Sequence, residues 1–93
     1  YDGGSRATYE EMVGHMDEGI GRLMSSLDEA GVAENTLIVF TSDNGGERYS
    51  DVWPFVGHKM DLLEGGIRVP LIARWPARIT RTGATAQVAL SMD

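Results

Sequence analysis

Apolar residues recur at steps of three and four along the N-terminal third of the chain. They lie on one face of a helix, and they are Tyr9, Met12, Val13, Met16, Ile20, Leu23, Met24, Leu27 and Ala30. The spacing predicts one long amphipathic helix over about residues 8–30. Thr8 and Glu11 have the spacing of a capping box, with Ser5 as a rival N-cap. Gly31 stands where a helix commonly ends in a left-handed residue.

A short, unbroken run of β-branched and apolar residues follows at residues 36–41. A strand that is apolar on both faces is typically covered by helices on both sides, so we expect a buried, central, parallel strand here. A second strand is predicted at about residues 70–75, entered through Pro70. A helix followed by a buried strand is half of a βαβ unit. The predicted fold class is therefore α/β, with a mostly parallel sheet whose other strands lie outside this chain.

Composition limits the partners that this chain can have. Its 14 acidic and 8 basic residues give a net charge of −6, which argues against nucleic acid, since binding phosphates needs a basic face. The absence of cysteine excludes disulfides and cysteine-based metal sites or nucleophiles within the chain. No apolar run reaches the ~20 residues of a membrane span. Neither terminus has a natural start or stop signal, so we expect part of a longer domain, whose localisation stays open.

Polar residues directly follow the first predicted strand, in the string Ser42-Asp43-Asn44-Gly45-Gly46. Ligand sites of parallel α/β sheets form beyond the carboxyl ends of the strands. The Asp43 carboxylate and the Asn44 carbonyl are oxygen ligands that Ca²⁺ and Mg²⁺ prefer, although two ligands do not complete a site. Taken alone, the same string favours a plain turn, because Asn-Gly and Asp/Asn clusters form turns on their own account, and the metal site stands as the second interpretation.

Two basic residues lie in the long loop predicted at residues 42–69. Lys59 follows Gly57 and His58, and Arg68 comes four residues after Glu64. Lys59 is suited to hold a sulfate or phosphate oxygen as a mobile point charge. Arg68 can bind an oxyanion bidentately or pair internally with Glu64. Each residue, taken singly, is also compatible with a solvated surface charge.

Several uncommon strings occur in one order along the chain. After the string at residues 42–46 come Gly57-x-Lys59 and Glu64-Gly65-Gly66-Ile67-Arg68-Val69-Pro70-Leu71-Ile72-Ala73-Arg74-Trp75-Pro76. Before it comes Met12-Val13-x-x-Met16-Asp17-x-x-Ile20-Gly21-Arg22-Leu23. This order resembles the sulfatase family of the alkaline-phosphatase-like superfamily, over about residues 9–93. The resemblance implies the C-terminal part of a catalytic domain, within an alkaline-phosphatase-like sandwich.

The resemblance implies roles for individual residues. Asp43 and Asn44 match the residues that bind a divalent cation, usually Ca²⁺, with Mg²⁺ as the alternative. Lys59 matches the lysine that contacts the sulfate group, which makes it the implied catalytic and substrate-binding residue. His58 has no assigned counterpart and is at best a neighbour of the substrate. Residues 64–70 are expected to fix the loop that carries Lys59.

The resemblance also implies sulfate-ester hydrolysis by a formylglycine, made from the Cys or Ser of a C/S-x-P-x-R motif. This motif does not occur in the chain. We therefore expect the chain alone to be inactive. Its expected partners are the rest of the catalytic domain and a small-molecule or glycan sulfate ester. Two alternatives remain: a phosphoester or phosphonate hydrolase of the same superfamily, and a non-catalytic binding module that retains the scaffold.

Overall fold

A computed structural model describes residues 4–83, in which one long helix precedes two short strands. The elements are α1 at Arg6–Glu29, a 3-10 turn at Ala33–Asn35, β1 at Ile38–Thr41, a short helix α2 at Glu64–Ile67, and β2 at Leu71–Arg74. The predicted combination of helix and strand is confirmed. Residues 84–93, the last part of the sequence resemblance, lie outside the described residues.

Ser5 caps the N-terminus of α1. Its backbone is extended, and its Oγ accepts a hydrogen bond of 3.1 Å from the Thr8 N–H. Thr8, which the capping-box spacing favours, therefore lies within the first turn as the donor. Arg6 Nε donates to Glu10 Oε1 at 2.8 Å, and this hydrogen bond raises the pKa of Arg6. The helix ends before Gly31, which has the left-handed φ of 68° that the sequence led us to expect.

β1 and β2 form an antiparallel ladder, in which Val39 lies opposite Ala73 and Phe40 opposite Ile72. The expectation of a parallel strand is therefore wrong for this pair. The physical reason is the path of residues 42–70, which leave and re-enter at the same end of the ladder without the crossover that a parallel pair needs. The chain after β1 and the chain before β2 consequently lie side by side.

The apolar faces of α1 and β1 are largely exposed in the described part of the chain. Met12 is 66% exposed and Val39 53% exposed, so the expectation that β1 is buried is wrong for residues 4–83. Between the elements described there, α1 contacts only the 3-10 turn, and the two strands contact only each other. None of the described helices combines the length and the apolar composition that a membrane span needs.

Candidate functional site

Three buried glycines join the turn after β1 to α2. The Gly45 N–H donates to the Gly66 carbonyl at 2.8 Å. A Cβ placed on Gly45 would overlap the carbonyl oxygen of Gly65 and would lie 2.7 Å from Gly66 Cα. Because no side chain separates the two backbones, residues 42–46, here called the aspartate turn, lie directly against α2.

The backbone of Lys59 is hydrogen-bonded to the same turn. Residues 47–63, here called the lysine loop, leave the aspartate turn and return to it. The Lys59 N–H donates to the Gly46 carbonyl at 2.8 Å, and the Gly65 N–H donates to the Val56 carbonyl at 2.8 Å. The structure thus brings the turn that carries Asp43 and Asn44 and the backbone of Lys59 into one cluster of loops.

The aspartate turn presents two oxygen-bearing side chains. Asp43 is exposed and Asn44 half-buried. Ser42 Oγ donates to the Asn44 carbonyl at 3.0 Å, and Asn44 Nδ2 donates to the Gly45 carbonyl at 3.0 Å. The Asn44 amide oxygen and the Asp43 carboxylate are hard ligands, which suit Ca²⁺ or Mg²⁺ as part of a larger set. Within residues 4–83, no three His, Cys, Asp or Glu side chains are grouped so as to hold a metal ion.

The Lys59 side chain lies beside a carboxylate that sequence reasoning missed. Lys59 Nζ is 3.7 Å from Glu47 Oε2, and the two side chains are 44% and 65% exposed. Both residues line an open cleft of about 420 Å³ together with Gly4, Arg48 and Tyr49. The only signal for Glu47 and Arg48 in the sequence is that they directly follow the aspartate turn, so folding of the loop was needed to bring them beside Lys59.

His58 is held by its own loop. Its N–H donates to Asp61 Oδ2 at 2.9 Å, and its Nδ1 lies 3.5 Å from the same oxygen. The side chain is 67% exposed. These contacts give His58 a partner within the lysine loop, and its role beside the substrate stays a prediction.

Arg68 forms the internal pair that was one of its two predicted roles. Its Nε forms an ion pair with Glu64 Oε2 at 2.8 Å, and its guanidinium lies 4.6 Å from the centre of the Phe55 ring. The pair spans α2 from its first residue to the residue after its end, while the ring contact connects α2 to the lysine loop. Arg68 therefore belongs to the scaffold on which the lysine loop rests.

The sequence of the chain is similar to known proteins of one family. The family model described as Sulfatase matches residues 2–93. The chain is 39% identical over 95 residues to the steryl-sulfatase of Mus musculus, covering 91% of this chain and 15% of that protein. It is 35% identical over 94 residues to the N-acetylgalactosamine-6-sulfatase of Homo sapiens, covering 95% and 18%. A sulfatase of Formosa agariphila is 36% identical over 85 residues, covering 82% and 15%. The chain thus spans less than a fifth of the length of these relatives.

Proposed function

The chain belongs to the sulfatase family, and from this premise we propose that it forms part of an enzyme that hydrolyses sulfate esters. The observation that carries the proposal is the hydrogen bond of 2.8 Å from the Lys59 N–H to the Gly46 carbonyl. It keeps Lys59 beside the aspartate turn. A cation held by that turn and the Lys59 ammonium would then approach the same sulfate group.

Asp43 and Asn44 would hold the divalent cation, which we propose to be Ca²⁺ rather than Mg²⁺. The Asp43 carboxylate supplies charge, and the Asn44 amide oxygen fills a further coordination position. The bound cation would offset negative charge on the sulfuryl oxygens. Neither Asp43 nor Asn44 needs to move a proton.

Lys59 would bind a sulfuryl oxygen and offset the charge that develops there in the transition state. Its Nζ is 3.7 Å from Glu47 Oε2, a distance longer than a hydrogen bond, so the carboxylate does not occupy any of the three donors of the ammonium. The attraction of the Glu47 carboxylate favours a position of the Lys59 ammonium at the wall of the cleft, which both side chains line.

The rest of the catalytic domain would complete this site. It would provide the formylglycine nucleophile and the remaining cation ligands, because Ca²⁺ takes six to eight oxygens. It would also extend the two strands into a mostly parallel sheet and cover the apolar face of α1.

The full-length protein tests the proposal. Its initial rates on an aryl sulfate, the matching aryl phosphate and an aryl phosphonate should be measured together with its cation content. A sulfatase should turn over the sulfate fastest. Faster turnover of the phosphate or the phosphonate would favour the other hydrolases of the superfamily, and no turnover of any of the three would favour a binding module.

A further inference from the structure

Arg48 lines the cleft that contains the Lys59 side chain. The two cations differ in their electrostatic surroundings. Lys59 has the Glu47 carboxylate 3.7 Å from its Nζ, whereas Arg48 forms no ion pair among residues 4–83. Within residues 4–83, the cleft therefore contains one positive charge that is paired with a carboxylate, at Lys59, and one that is not, at Arg48.

The Arg48 guanidinium rests on an aromatic ring that is itself held in place. It lies 5.2 Å from the centre of the Tyr49 ring. The Tyr49 hydroxyl donates to the Gly4 carbonyl, and the Tyr49 ring is packed so closely on Gly4 that a Cβ there would lie 3.1 Å from ring atom Cε2. These contacts restrict the positions of the guanidinium before any ligand arrives, which lowers the entropic cost of binding.

An oxyanion is the ligand that suits this arrangement. The guanidinium presents a planar fork of N–H donors that matches a sulfate or a carboxylate. The sulfate that is cleaved is already assigned to Lys59 and the aspartate turn. With the reacting sulfate at Lys59, an anion at Arg48 would be a different group of the same substrate.

We propose that Arg48 binds a second anionic group of the substrate, so that the enzyme prefers sulfate esters of glycans that carry a further sulfate or a carboxylate near the reacting ester. The inference rests on the proposed function, because it needs the reacting sulfate to lie at Lys59. It assigns Arg48 to substrate selection and gives it no part in the chemical step.

Three substrates on one scaffold test the inference with the full-length enzyme: a neutral disaccharide with one sulfate ester, the same with a second sulfate, and the same with a uronate carboxylate. The readout is the ratio of kcat/KM between each doubly anionic substrate and the singly anionic one. Arg48→Gln should lower this ratio roughly tenfold, as expected for the loss of one charge-assisted hydrogen bond. Arg48→Lys should lower it less, because the charge remains while the fork is lost.

Arg22→Gln is the matched control, since Arg22 is an exposed arginine of α1 outside this cleft, and it should leave the ratio unchanged. A preference for only one of the two doubly anionic substrates would support the inference and identify the second group. An unchanged ratio in both Arg48 variants, with normal hydrolysis, would overturn this inference alone. A wild-type enzyme that hydrolyses an aryl sulfate but none of the three esters would overturn this inference alone, whereas one that hydrolyses no sulfate ester at all would overturn the proposed function and this inference with it.

Discussion

Gly45→Ala should push the aspartate turn away from α2. The new Cβ would overlap the carbonyl oxygen of Gly65 and would lie 2.7 Å from Gly66 Cα. Ordinary contact begins at 3.4 Å and the Gly66 carbonyl carbon would lie 2.6 Å away, so the Gly66 backbone would have to retreat by about 0.8 Å. The atoms in the way belong to the main chain, so no side-chain rotation relieves the overlap.

Two contributions set the loss of stability that this displacement causes. Forcing an extra carbon into a filled space costs roughly 1–3 kcal/mol. The hydrogen bond of 2.8 Å from Gly45 to Gly66 would also be lost, at about 1 kcal/mol. We therefore expect Gly45→Ala to lower the free energy of unfolding of the full-length protein by roughly 2–4 kcal/mol, measured by urea denaturation. Turnover should fall as well, because Asp43 moves with the turn.

Gly46→Ala is the matched control one residue further on. Its Cβ would overlap Ser50 Oγ and would lie 2.6 Å from Val52 Cγ1, which are side-chain atoms that can rotate away. The main loss would be the Ser50 hydroxyl bond to the Glu47 carbonyl, worth about 1 kcal/mol. A loss of unfolding free energy for Gly45→Ala no larger than that for Gly46→Ala would mean that the backbone contact between the aspartate turn and α2 contributes little to stability.

The assigned roles in the site give three further predictions. Asp43→Ala should remove the cation and abolish activity while the protein stays folded; full cation occupancy with normal activity would contradict the role. Lys59→Ala should lower kcat/KM on an aryl sulfate by roughly a hundredfold with the cation retained, and Lys59→Arg should restore little. A near-normal kcat/KM would refute the lysine assignment. The 93 residues alone should bind Ca²⁺ weakly or not at all, because two ligands fall short of six to eight oxygens. A micromolar constant by calorimetry would revive the binding-module alternative.

The helix and the two strands could be predicted because their signals are local. The steps of three and four before Gly31 indicate α1, and Gly31 itself has the left-handed φ of 68° that ends a helix. The N-cap residue of α1 is harder to predict from the sequence, since Ser5 and Thr8 lie one turn apart and both have suitable side chains. The choice depends on where the chain enters the helix, and the extended backbone of Ser5 decides it.

The direction of strand pairing and the glycine contacts could not be predicted, because both depend on the path of the lysine loop. Nothing near Gly45 in the sequence indicates that it meets Gly66. The i, i+4 spacing of Glu64 and Arg68 permitted an internal ion pair as well as oxyanion binding. The short helix α2 brings the two side chains together, so the ion pair forms. The roles of Asp43, Asn44, His58 and Lys59 stay predictions, since a role is a property of the complex with cation and substrate.

The hydrogen bond from the Lys59 N–H to the Gly46 carbonyl joins the two ends of the segment at residues 47–58. Phe55 contacts Arg68 and Gly57 has a left-handed φ of 92°, but residues 47–54 can change in type without removing this hydrogen bond, because both of its atoms belong to the main chain. They can also change in number, since each doubling of loop length costs only about 0.6 kcal/mol in closure entropy. An evolving or engineered enzyme can therefore exchange the part of this segment that contains Arg48 and Tyr49, and acquire a new range of substrates, while Lys59 stays beside the aspartate turn.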